Sequence, residues 1–118
     1  MRSSDFRNLK VWQKSMELTA EIYRLVKFLP KEENFALSDQ MRRAVISIPS
    51  NIAEGRGRNS DKDFVRFLSI SRGSLWELST QLDICLMMNY LTEHQIQNAK
   101  NYIDEISKMM TALSNSLE

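Results

Sequence analysis

Arg42, Arg43, Arg56, Arg58, Lys62 and Arg66 are the side chains best placed to do chemistry in this chain, and that chemistry is electrostatic. Positions 42 and 56 differ by 14 residues, about 40° short of whole helical turns, so on one helix they share a face. Each phosphate that such a set neutralised would release counterions, making binding to a polyanion salt-dependent. The competing reading is structural: Arg42 and Arg43 pair with Glu54, Asp61, Asp63 or the acids of a neighbouring subunit. No aromatic is interleaved with the basic residues for base stacking, so sequence-specific readout is not expected.

Other chemistry has little to build on. The single histidine, His94, falls in the first turn of a helix, where a solvated surface role is the default. Metal sites need several His, Cys, Asp or Glu ligands at fixed spacing, and no such cluster is present, so neither metal nor cofactor is expected. Cys85 continues a helical apolar seam and reads as a small buried hydrophobe. Gly55-Arg-Gly57 lacks the preceding strand and following lysine of a phosphate loop. The expectation is a protein that is not an enzyme.

The elements that must position the arginines are helices. The chain of 118 residues suits one domain, 1–118, with only three glycines and two prolines and no run alternating as a half-buried strand would. The start of the chain has no apolar signal-peptide core, and no apolar run approaches a membrane span. With a lone cysteine, these features suit a reducing cytoplasm. The net charge of +1 conceals a split: residues 1–72 carry +5 and residues 73–118 carry −4. Such a split arises when a molecule faces a polyanion, and also when two faces of a bundle attract each other.

The first helix is expected from about Asn8, as N-cap, to Leu29, closed by Pro30. It carries two apolar stripes about 200° apart: Leu9, Trp12, Met16, Thr19, Tyr23, Val26, and Val11, Ser15, Leu18, Ile22, Leu25, Leu29. A helix at the corner of a monomeric bundle needs one apolar face. The second stripe, through Val11, Leu18, Ile22 and Leu25, is therefore read as a surface for self-association, the alternative being a first helix more deeply buried within the monomer.

The second helix spans the stretch 39–58 and contains Pro49. Proline removes the hydrogen bond to the Val45 carbonyl and crowds it. Yet Met41, Ala44, Val45, Ile48, Ile52 and Ala53 keep helical spacing through it. The spacing predicts one kinked helix, with a break at Ser47–Ser50 as the alternative. Ser47, Ser50, Asn51 and Glu54 form a polar set at Pro49, read chiefly as partners for the freed backbone groups. Gly55 and Gly57 are expected to end the helix in a left-handed turn.

Ser60 with Asp63, and Thr92 with Gln95, are capping-box patterns opening the third and fourth helices. Their seams are Phe64, Leu68, Ser71, Leu75, Leu78, Leu82, Cys85 and Ile96, Ala99, Ile103, Ile106, Met110, Leu113, Leu117. Gly73, mid-helix, is expected to admit close approach of a neighbour. Short connections between helices of similar reach predict an all-α, antiparallel, up-down-up-down four-helix bundle with a proline-kinked second helix.

Phe6-x-x-Leu9-x-Val11-Trp12, Ile22-Tyr23, Gln40-Met-Arg-Arg43, Ser47-Ile-Pro-Ser-Asn-Ile-Ala-Glu-Gly55, Gly57-Arg58, Phe64-x-x-Phe67-Leu68, Gly73-Ser-Leu75 and Glu77-Leu-Ser-Thr-Gln-Leu82 carry a resemblance over nearly the whole chain. The sequence resembles the four-helix bundle family named after proteins encoded in intervening sequences of bacterial 23S rRNA genes. Ser79 stands where that family usually has an acidic residue. The resemblance implies an antiparallel bundle, often a ring-shaped homopentamer. The family is also similar to the accessory protein of diversity-generating retroelements, a pentameric bundle with a basic surface that associates with a reverse transcriptase and nucleic acid. A basic patch repeated around a ring becomes multivalent. The expected function is a non-enzymatic, self-assembling, cytoplasmic accessory protein that contacts RNA or DNA. The alternative is a protein-binding scaffold, for a polymerase or another gene product, without nucleic-acid contact.

Overall fold

The computed structural model describes residues 5–118. Four helices make up most of them: α1 (Lys10–Val26), α2 (Leu37–Arg56), α3 (Asp61–Met87) and α4 (Glu93–Leu117). Single 3-10 turns precede α1 at Phe6–Asn8 and bridge α1 to α2 at Lys31–Glu33. Among the described residues there are no strands. The helices close a ring in which α1 packs on α2 and α4, and α3 on α2 and α4. The bundle measures 48 × 24 × 19 Å.

The seams of α3 and α4 point inward as their spacing requires. Phe64, Leu68, Leu75, Leu78, Leu82 and Cys85 meet Ile96, Ala99, Ile103, Ile106 and Met110 in one buried core. Leu113 and Leu117 extend that seam, half-buried, to the end of α4. At the start of α4, Thr92 Oγ1 accepts from the Gln95 backbone N–H, and Gln95 Oε1 accepts in return from the Thr92 N–H. Ser60 caps α3 by accepting from the Asp63 N–H.

α2 runs through Pro49 as a single helix, as the apolar spacing required. Side chains donate to the three carbonyls that precede the proline. Ser50 bonds the Ile46 carbonyl, Asn51 the Ser47 carbonyl, and Ser71 of α3 the Ile48 carbonyl. Ser47 also shares a 2.7 Å hydrogen bond with Ser74. The polar set at Pro49 thus fastens α2 to α3, with Ser71 and Ser74 as partners. Glu54 stands apart from it and pairs with Arg58.

The contacts order the chains of the two helices. Gly55 lies against Phe64 and Phe67, Ile48 meets Ser71, Ser47 meets Ser74, and Met41 meets Cys85. Numbers fall along α3 as they rise along α2, so this pair is antiparallel.

Three local expectations are corrected. Asn8 does not cap α1; it closes a 3-10 turn capped by Asp5, and α1 starts at Lys10 without a side-chain cap. α1 also ends at Val26, because Phe28 and Leu29 turn back in single 3-10 bonds to Leu25 and Val26. Neither Gly55 nor Gly57 adopts a left-handed conformation. Gly55 is an interior residue of α2, chosen for space rather than for φ.

Candidate nucleic-acid interface

The six cations do not form one patch. Arg42 and Arg43 sit in the first half of α2, whereas Arg56, Arg58, Lys62 and Arg66 gather where α2 hands over to α3. Fourteen residues of helix, roughly 21 Å, separate Arg42 from Arg56. Arg42 Nη2 donates to the Asn34 carbonyl at 3.0 Å, and Arg43 Nε to Asp39 at 2.8 Å. Asp39, not Glu54, Asp61 or Asp63, is the acid that Arg43 finds.

The α2–α3 corner is built around two phenylalanines. Ser60 starts α3 with Phe64 and Phe67 on its inner face, and both side chains press on Gly55. A Cβ at Gly55 would stand 2.6 Å from the Phe67 Cβ and 3.0 Å from Phe64 Cδ1. With hydrogen there instead, α3 closes on α2 and brings both rings under the arginines. The Arg56 guanidinium carbon lies 5.9 Å from the centre of the Phe64 ring. Arg58 and Arg66 lie 4.8 and 4.5 Å from the centre of Phe67.

Such cation–π contacts are individually modest, about 0.5–1 kcal/mol at exposed sites. Their main effect is to hold long, entropically costly side chains in place before anything binds. Nearby carboxylates hold the edges: Glu54 pairs with Arg58 at 3.0 Å and Asp63 with Arg66 at 3.7 Å. Arg56 Nε is enclosed and lacks a hydrogen-bond partner. Lys62 is exposed at the same corner.

The 3-10 turn before α1 adds a residue the sequence reading missed. It packs on α2, and its Arg7 lies 4.5 Å over Phe6, itself edge-on to Trp12 at 5.3 Å. Aromatic rings do accompany the arginines, contrary to expectation, but Phe64 and Phe67 are pedestals under them, too buried to stack on bases. Only the adjacent pair Arg66-Phe67 hinted at this; Arg58 and Phe67 meet across a turn and nine positions.

The expected self-association stripe is corrected outright. Val11, Leu18, Ile22 and Leu25 are core residues of the single chain, the last three wholly inaccessible. The opposite stripe is the one partly left outside, with Met16 and Tyr23 exposed and Val26 buried. Trp12, Met16 and Thr19 line an open groove of about 310 Å³ with Ile46, Pro49, Ser50 and Ala53 of α2. Met16 and Ile46 are each 44% exposed. At the far end of the bundle Phe28, Phe35, Met87 and Met88 are also exposed. There the Tyr90 hydroxyl donates to Glu33 at 2.8 Å and ties the two connectors together.

His94 is exposed at the start of α4. Burial pushes the Cys85 thiol up to about 11, and it faces the Met41 sulfur at 3.8 Å. Among the described residues no group of His, Cys, Asp or Glu could hold a metal ion, and no helix is long and apolar enough to cross a membrane.

No curated protein matches the chain. A crystal structure of a protein with unknown function from the S23 ribosomal protein family of Bacteroides thetaiotaomicron VPI-5482 superposes with a TM-score of 0.81 at 30% identity. That likeness covers 88% of this chain and 97% of the other. The family model of the 23S rRNA-intervening sequence protein matches residues 7–112. That span holds α1, α2, α3, the corner, the groove and all but the last turn of α4, and the chain belongs to the 23S rRNA-intervening sequence protein family.

Proposed function

We propose that this protein is a non-enzymatic, self-assembling bundle of the cytoplasm that binds nucleic acid through the α2–α3 corner. The observation that carries the reading is the set of three guanidiniums, Arg56, Arg58 and Arg66, held over two phenyl rings at one end of the molecule. Charge fixed in place before binding favours a polyanion, because little side-chain entropy is then lost in the complex. The resemblance to an accessory protein that associates with nucleic acid supports the same reading.

Fluorescence anisotropy with structured RNA, single-stranded RNA and duplex DNA at two salt concentrations tests it. Binding is expected to weaken steeply with salt, since log K falls by about 0.7–0.9 per phosphate neutralised for each tenfold rise in salt. Arg58→Gln with Arg66→Gln should lower that slope by roughly 2 per engaged subunit. Arg42→Ala with Arg43→Ala should change it little. Absence of binding at low salt would overturn the reading and leave a protein-binding scaffold.

Self-assembly, as the homopentamer the resemblance implies, is assigned to the groove between α1 and α2. Its support is the open apolar groove, in which Met16 and Ile46 are exposed beside a half-buried Trp12. Met16→Lys with Ile46→Lys should reduce the mass measured by light scattering while helicity is retained. An unchanged mass would move the interface elsewhere.

A further inference from the structure

Arg58 and Arg66 share one ring, so their guanidinium carbons lie within about 9 Å of each other, close enough to meet neighbouring phosphates of one strand. Both guanidiniums lie against Phe67, and their N–H edges are the donors a phosphate would accept from. Those edges are engaged by Glu54, four residues before Arg58, and by Asp63, three before Arg66. The side chains of both pairs are about half solvent-exposed, so the pairs are weak and exchange readily. A carboxylate and a phosphate offer a guanidinium the same kind of paired anionic oxygens.

We infer that the ligand of this corner is the phosphodiester backbone, gripped by Arg58 and Arg66, and that Glu54 and Asp63 compete with it as internal stand-ins. The inference rests on the nucleic-acid reading of the corner. Base identity plays no part. Phe64 is wholly inaccessible and Phe67 is 7% exposed, so neither ring can stack on a base. The protein therefore holds its own site partly closed, and a strand must displace two carboxylates to enter.

The test is anisotropy with short fluorescent single strands, as RNA and DNA, in homopolymer and mixed sequence. Glu54→Gln and Asp63→Asn should each tighten binding by about two- to fivefold, and together by roughly tenfold. The gain should be equal for RNA and DNA and for every sequence. Asp83→Asn with Glu93→Gln removes the same charge from the opposite end of the bundle and should give no such gain. Circular dichroism confirms that each variant keeps its helices.

Three results would overturn the inference while leaving nucleic-acid binding standing: unchanged affinity in the Glu54/Asp63 double variant, an equal gain in the distant control, or a gain confined to RNA or to one sequence. Failure of the unaltered protein to bind any strand at low salt would instead remove the reading on which it rests.

Discussion

Leu18→Asp is expected to unfold the protein, not to release a smaller folded species. Leu18 is wholly inaccessible within the single chain, on the α1 face that also carries Ile22 and Leu25. Truncating such a side chain to alanine costs about 2–5 kcal/mol through lost transfer energy and the cavity left behind. A carboxylate adds the cost of burying a charged or newly protonated group without a partner, several kcal/mol more. Against a typical total stability of about 5–15 kcal/mol, the single change removes most of the margin. Adding Ile22→Asp should abolish cooperative melting altogether. Far-ultraviolet circular dichroism through a thermal ramp, with light scattering on the same samples, reads the result. A helical, cooperatively melting Leu18→Asp of lower mass would mean that this stripe faces a second chain after all.

That stripe shows where sequence stops informing structure. α1 has two apolar stripes of equal period, and periodicity says they are opposed without saying which is inside. Ser15 on the inner stripe and Thr19 on the outer one gave no lead either. Ser15 is fully buried because its hydroxyl donates to the Val11 carbonyl of its own helix at 2.7 Å. The choice of face depends on what α2 and α4 present to α1, which lies outside any window of local sequence. Where one apolar seam stands alone, as in α4, period and burial coincide and the reading holds. Helix continuity through Pro49 was legible for the same reason.

The candidate site divides along the same line. Its residue types were visible, because arginines near the end of one helix and the start of the next are local facts. Their grouping was not. Arg42 and Arg43 were expected to join Arg56, but helix length carries them away and local acceptors occupy them. The rings beneath Arg58 and Arg66 become relevant only once α3 folds back on α2. Glu54, read as part of the polar set at Pro49, proves to face Arg58 one turn onward.

Gly55→Ala should destabilise the fold and Gly73→Ala should stabilise it, although alanine is the better helix former at both positions by about 1 kcal/mol. Both glycines lie inside helices, so the backbone term has the same sign for each. Their surroundings differ. A Cβ at Gly73 meets nothing within 4 Å, which corrects the expectation that this glycine admits a neighbouring helix. The propensity gain should therefore survive and raise Tm by roughly 3–5 °C for a domain of this size. At Gly55 the added carbon would stand 2.6 Å from the Phe67 Cβ and 3.4 Å from the Phe64 backbone oxygen. The Phe67 Cβ is held by its own backbone, so α3 itself must move away from α2. Overpacking of this kind costs about 1–3 kcal/mol, and occasionally more, which outweighs the propensity gain near a helix end. Because Phe67 is also the pedestal for Arg58 and Arg66, Gly55→Ala should weaken nucleic-acid binding as well as lower Tm. Paired thermal melts and anisotropy on the two variants separate the effects. A lower Tm for Gly73→Ala would mean that another chain lies against that face in solution; an unchanged Tm for Gly55→Ala would mean that α2 and α3 are less closely joined than their contacts require.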